Sequence, residues 1–250
     1  MEAAQHHTSR QENLTLLLGG IGFVLGGGIA LFALPAHAPI FGRGSVGELA
    51  AIIAFFSSAA AFLIGLRFSG LRSSREWLGQ LSRLRWGVNQ FGLAVVHAAF
   101  SFYLTTAVFA VFSGAFRHLQ LDRYAGAFSV ALACAVCVYA TASSATSLST
   151  GSLAVLVALF LVTGSLASAL NASDAEWWQQ HFSALGAASD RSGIVFNFTL
   201  IVTGLVLTAL ADFLTQDLET WARHHKEPLW RWPSCGAASW RWGRCSAWWA

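Results

Sequence analysis

The chain reads as an all-α polytopic membrane bundle with six transmembrane helices, and three observations say so. Hydrophobic residues make up 55% of the 250 residues and charged residues only 11%, with a mean hydropathy of +0.55. Soluble domains carry roughly 25% charge, so a soluble enzyme, a disordered chain, collagen and a basic nucleic-acid-binding domain are all excluded as classes. Six stretches approach or exceed the roughly 20 apolar residues that a hydrocarbon layer about 30 Å thick demands. None of them alternates in hydropathy as a barrel strand would, and in lipid only helices or closed barrels satisfy every backbone amide.

The spans follow in order. Leu14–Leu34, Val46–Leu66 and Phe91–Ala115 are the first three. Tyr124–Ser173 then holds no Asp, Glu, Lys or Arg over 50 residues, which suits two spans joined by a tight turn. The polar run from Ser143 to Ser152 is that turn, so helices are expected over Tyr124–Ala145 and Ser152–Asn171. Gly193–Phe213 is the sixth. Residues 1–13 then form a cytoplasmic amino-terminal segment, 14–213 the membrane domain and 214–250 a cytoplasmic Trp/Arg-rich tail.

Positive charge fixes the expected orientation. With the amino terminus inside, eleven Lys and Arg fall on inner segments, against four on outer loops (Arg43, Arg117, Arg123 and Arg191). Both termini are therefore expected in the cytoplasm. Ala36-His37-Ala38 imitates a signal-peptidase site, but the apolar run before it has 21 residues, beyond the 7–15 of a signal core, so it reads as a retained helix.

Two loops carry patterns. In Arg67–Asn89, Trp77, Leu81, Leu84 and Val88 fall on one helical face with Arg75, Arg83 and Arg85 off it. That predicts a basic amphipathic helix lying on the inner leaflet, a lipid sensor or, as the favoured reading, a topology-fixing loop. In the fifth loop Ser173-Asp174-Ala175-Glu176 matches a capping box. Trp177, Trp178, His181, Phe182 and Leu185 then share one face and Gly186 ends the run. The expected element is a short interfacial helix anchored by Trp177 and Trp178 at head-group depth, serving as an anchor or as a lid over a cavity.

Ionisable groups inside a bilayer are costly, which makes Glu48, His97 and Asp212 candidates for chemistry. His97 and Asp212 share a leaflet and are the candidate proton-coupling pair. The favoured plainer reading has Asp212 snorkelling to the interface and His97 satisfied by a neighbouring hydroxyl. No catalytic set is legible. His37, His181, Asp174, Glu176 and Asp190 lack metal-ligand spacing, and His6-His7 and His224-His225 are adjacent pairs that cannot face one ligand. No metal and no cofactor is expected. Cys134 and Cys137 read as small packing residues, and Gly22 and Gly26, extended by Gly27 and Gly28, as a close helix contact. Tyr103, Tyr139, Asn197, Thr199 and Thr203 add modest polarity, without the internal repeat that transporters often show.

The stretch Ala172–Trp178, then His181-Phe182-Ser183-Ala184-Leu185-Gly186, then Phe196-Asn197-Phe198-Thr199-Leu200-Ile201 resembles the bacterial "domain of unknown function 998" membrane family. The resemblance covers Leu14 to about Glu219, and implies a multi-pass protein of the bacterial cytoplasmic membrane with no assigned activity. By motif it makes Ser183, Leu185, Gly186, Phe196 and Asn197 candidate functional positions. A polar cluster of Glu48, Ser183 and Asn197 beneath the Trp-anchored helix is the expected site, with the Asn197 amide orienting the fifth loop. After Leu229 the chain departs from the family, and six of its eleven Trp fall in the last 21 residues. The tail reads either as a frameshifted product that has lost downstream helices or as a cationic membrane-surface anchor, with Cys235 and Cys245 reduced.

The expected function is binding or sensing of a lipid or small amphiphile through an outward-facing cavity, with membrane lipids as partners and no nucleic acid. A proton-coupled secondary transporter is the alternative, and a membrane-embedded hydrolase a third reading.

Overall fold

The computed structural model describes residues 2–69, 82–116, 119–174, 176–179 and 181–224. Its helices are α1 (Glu2–Ala33), α2 (Val46–Phe68), α3 (Arg83–Ala115), α4 (Arg123–Thr146), α5 (Thr150–Leu170), a single turn α6 (Ala184–Ala187) and α7 (Arg191–His224). All but α6 are long and apolar enough to cross a membrane. The six expected spans are all present, and α1, α3 and α7 extend well beyond their apolar stretches.

Polar caps set several starts. Ser45, Ser82, Asp122 and Ser149 accept backbone N–H groups at the heads of α2, α3, α4 and α5. Ser149 and Ser152 form a reciprocal capping box, so the connector after α4 is only Ser147-Leu148-Ser149.

One feature was not legible beforehand. Strands β1 (His37–Pro39) and β2 (Gln120–Asp122) pair antiparallel, Ala38 opposite Leu121, and tie the α1–α2 loop to the α3–α4 loop. This ribbon marks one end of the bundle, called the ribbon end below. The opposite end holds the α2–α3 and α4–α5 connections.

The helices are unevenly associated. α4 packs most extensively on α1 and then on α2; α5 pairs with α7; α3 leans on α2 and α7 and touches α4 only slightly. The α1–α4 contact is made by absent side chains. A Cβ at Gly22 would meet Val138 at 3.0 Å, one at Gly26 would meet Cys134 at 2.9 Å, and one at Gly27 would meet Ala131 at 3.1 Å. The close contact expected of Gly22 and Gly26 is present, while Gly28 faces open space. Half or less of each span's apolar window is buried, from 28% in α1 and α5 to 50% in α4. Phe32, Ile201, Val111 and Leu17 point outward. An apolar exterior on this scale belongs in hydrocarbon rather than water.

Two expectations about loops need correction. Of the amphipathic helix expected in the second loop, residues 70–81 lie outside the described residues. Arg83, Leu84, Arg85 and Val88 are not on a separate surface helix but in the first turns of α3. Nothing between Ser82 and Phe91 breaks the helix, so the span simply begins earlier. The fifth loop forms no capping box. Ser173 gives its hydroxyl proton to Asp190, and the Glu176 N–H goes to Asp174 Oδ1 at 2.8 Å. In place of the expected interfacial helix stand a 3-10 turn at Trp177–Gln179 and the short α6, with the Glu176 N–H that the cap would need taken by Asp174.

Candidate functional site: a groove between α3 and α4

On α3, Leu104, Val108 and Phe112 recur every four residues and share a face, with Phe116 just past the helix end; on α4, Phe128, Leu132 and Val136 do the same. These two ladders line opposite walls of one groove of about 440 Å³. The volume lies within the roughly 300–1,000 Å³ typical of small-molecule sites. Bulky side chains on both walls hold the helices apart where α1 and α4, seamed by glycine, close up. At the ribbon end the groove is bounded by Ile40, Leu119 and Leu121. At its deep end lie Thr105 and Cys137, whose side chains meet at 3.6 Å. Ser129 also lines it, with its hydroxyl donated to the Ala125 carbonyl at 2.8 Å. The polar groups of the wall are thus spent within the protein, and the groove presents itself as apolar. Leu104, Val108, Phe128, Leu132 and Val136 all remain exposed, so the groove opens sideways from the bundle.

Behind the deep end, a line of buried polar side chains follows α3. Ser101, one turn from Thr105, accepts the Ser58 hydroxyl at 2.8 Å. One turn further, His97 places Nδ1 2.7 Å from the Leu93 carbonyl and Nε2 2.9 Å from Ser144 Oγ. A carbonyl can only accept, so Nδ1 carries the proton and Nε2 receives the Ser144 hydroxyl. The ring also stacks on Phe62 at 4.6 Å. His97 is satisfied by a neighbouring hydroxyl as the plainer reading had it, and both its nitrogens are occupied.

The His97–Asp212 pairing does not form. Asp212 instead joins α7 to α3: Arg85 makes an ion pair with it and Asn89 Nδ2 donates to its other oxygen at 3.0 Å. Arg85 and Asn89 are four residues apart and so reach one carboxylate from one helix face. Asp212 is therefore clasped, not snorkelling. The clasp lies at the end opposite the ribbon.

The expected cluster of Glu48, Ser183 and Asn197 is not assembled. Glu48 turns back on its own helix start, accepting the Gly44 N–H at 2.6 Å while its N–H goes to Ser45 Oγ at 3.0 Å. That local cap satisfies the carboxylate within four residues. Asn197 does orient the fifth loop, donating Nδ2 to the Gly186 carbonyl at 2.9 Å. Ser183 opens α6 without a side-chain bond to it. Among the described residues no hydrogen bond joins the three.

At the fifth loop a separate cavity of about 340 Å³ has a mixed lining, with Ser173, Asp174, His181, Asp190 and Ser192 beside Trp177, Leu185 and several alanines. The Ser173 hydroxyl, and after it the Ser192 hydroxyl, hold the Asp190 carboxyl well below the usual carboxylate range. Trp177 meets Phe182 edge-on at 6.4 Å, and Phe182 meets Phe196 at 5.3 Å, while Trp178 is exposed. Among the described residues no group of three His, Cys, Asp or Glu is arranged to hold a metal ion. Cys134 and Cys137 are buried free thiols, Cys134 packed where Gly26 makes room.

No family model, curated protein or solved structure matches the chain.

Proposed function

We propose that the chain is a multi-pass protein of a bacterial cytoplasmic membrane, akin to the "domain of unknown function 998" family, that binds a lipid or lipid-like amphiphile by its acyl chain in the α3–α4 groove. The carrying observation is the groove itself: about 440 Å³, walled by two facing ladders of large apolar side chains and open along its side. Where the bilayer surrounds the helices, that opening faces hydrocarbon, so acyl chains are present at the entrance without crossing water. The excess of Lys and Arg on alternate segments supports both termini inside, which puts the ribbon end and the fifth loop outside. The groove then lies in the outer leaflet.

The test compares three preparations of the full chain purified in mild detergent, with retained lipid read by native mass spectrometry. Leu104→Trp fills the groove, and retained lipid should fall about tenfold, the equivalent of one decade of affinity. Val111→Trp sits on the same helix, exposed and outside the groove, and should retain as much as the parent. Equal retention by all three removes the reading. A pH-driven flux in proteoliposomes, lost with His97→Ala, would put the transporter in its place.

A further inference from the structure

The α3–α4 groove has a fixed depth. Its lining runs on the α3 side from Phe116 to Thr105 and Leu104, and on α4 from Phe128 to Cys137. At 1.5 Å of rise per residue, the stretch from Phe116 to Thr105 measures about 16 Å. One leaflet of a hydrocarbon layer about 30 Å thick measures about 15 Å, so the groove matches a leaflet in length.

Its inner end is closed by contacts that cross from helix to helix. Thr105 Oγ1 and Cys137 Sγ meet at 3.6 Å and bridge α3 to α4. Cys137 is also hydrogen-bonded to Ser101. Behind them α2 is tied to both walls, to α3 from Ser58 to Ser101 at 2.8 Å and to α4 from Ser57 to Cys134. Two turns deeper along α3, His97 and Ser144 join α3 to α4 again at 2.9 Å. Thr105, Cys137, Ser101 and Ser58 are all buried. A methyl group driven past Thr105 would part these bonds and leave buried polar groups unserved. An apolar tail therefore stops there. Carbons beyond that length turn out through the open side, where they gain nothing over the bilayer.

An extended alkyl chain advances about 1.25 Å per carbon, a C–C bond of about 1.5 Å projected at the tetrahedral angle, so about 16 Å takes about thirteen carbons. We propose that the groove is a ruler for a single acyl chain of about twelve to fourteen carbons, its methyl end stopped at the Thr105–Cys137 contact and its head at the ribbon end. Thr105 and Cys137 are then the residues that set chain-length specificity. This rests on the acyl-chain reading above and adds the length and direction of the chain to it.

The experiment uses the full chain in bilayers with three monoacyl glycerophosphocholines that differ only in chain length: eight, thirteen and eighteen carbons. Each carries a diazirine on its terminal carbon, and peptide mapping locates the adducts. The eight-carbon probe should mark Val108, Phe112 and Leu132, partway down the groove. The thirteen-carbon probe should mark Leu104, Thr105 and Cys137, and the eighteen-carbon probe should mark those three about tenfold less. Thr105→Leu, and Cys137→Leu independently, raise the floor and should cut thirteen-carbon adducts at Leu104 about tenfold. Eight-carbon adducts should persist in both variants, which shows that the groove still forms. Equal marking of the floor by the two longer probes, adducts on Ser58 or Ser101 behind it, or a length preference unchanged in both variants overturns the ruler and leaves acyl-chain binding standing. Absence of groove adducts from all three probes takes down the acyl-chain reading and this one with it.

Discussion

Helix α4 meets its neighbours in two opposite ways. Toward α1 it presents Val130, Ala131, Cys134 and Val138, and α1 answers with Gly22, Gly26 and Gly27, so that the backbones approach closely. Toward α3 it presents Phe128, Leu132 and Val136, α3 answers with Leu104, Val108 and Phe112, and a groove of about 440 Å³ stays open. In hydrocarbon, burying apolar surface gives no gain over leaving it in lipid, so association depends on close packing and on polar ties. Small residues close an interface; large ones on both sides prop it open for something else to fill. The closed face is built for stability and the open one for occupancy.

The strongest way to break the comparison is at the closed face. Gly26→Ala puts a methyl group 2.9 Å from both Cβ and Sγ of Cys134, and overpacking of this kind costs about 1–3 kcal/mol. Gly28→Ala, with nothing within 4 Å, should be neutral or stabilising by up to about 1 kcal/mol through helix propensity. Denaturant titration in detergent reads both, and equal effects would mean that the α1–α4 seam is not what the fold leans on.

The clasp comes next, because it ties α3 to α7 and away from α4. Arg85→Gln leaves the largely buried Asp212 carboxylate with Asn89 alone, and an underserved buried acceptor costs about 1–3 kcal/mol. Adding Asp212→Asn removes the stranded charge, so the double variant should recover part of that loss. No recovery in the double variant would show that Arg85 acts by its bulk.

At the open face the effect on stability should be smallest. Leu104 is half-exposed, and Leu104→Trp should shift unfolding by less than about 0.5 kcal/mol while cutting lipid retention about tenfold. A large loss of stability would make Leu104 a packing residue like those facing α1.

The fifth loop sharpens the contrast by its pH response. Hydrogen bonds from Ser173 and then Ser192 favour the ionised form of Asp190, so its folded pKa lies below the unfolded value of about 3.9. Its contribution is complete above that value and is lost as pH falls through the acid range toward the folded pKa. Amide exchange at Ser173 and Ser192, whose N–H groups Asp190 accepts, should stay protected from pH 7 to 5 and lose protection in stronger acid. Asp190→Asn should flatten that dependence, while the spans stay protected throughout.

The six spans were legible because a run of twenty apolar residues is a local property and hydrocarbon imposes helix on it. The role of Gly22 and Gly26 was legible for the same reason, since four-residue spacing declares a face. His97 and the Asn197 amide found partners of the kinds expected. The Arg85–Asp212 clasp joins residues 127 positions apart, and nothing in either stretch names the other. Arg85 instead looked like one charge of a surface helix. The ribbon has strands of three residues each, too short to show alternation. Glu48 was misassigned because a carboxylate near a span end looks the same whether it caps its own helix or serves a ligand. The groove's two four-residue ladders were present in the sequence, but lipid-facing and groove-facing residues are equally apolar, so only the packing of α3 against α4 separates them.

Mapping adducts from a photoreactive lipid with a diazirine at its acyl terminus, in bilayers containing the full chain, tests the central claim most directly. The account predicts labels concentrated on Leu104, Val108, Leu132 and Val136, diminished by Leu104→Trp. Labels spread evenly over those positions and over outward-facing Leu17, Phe32 and Ile201 would contradict it.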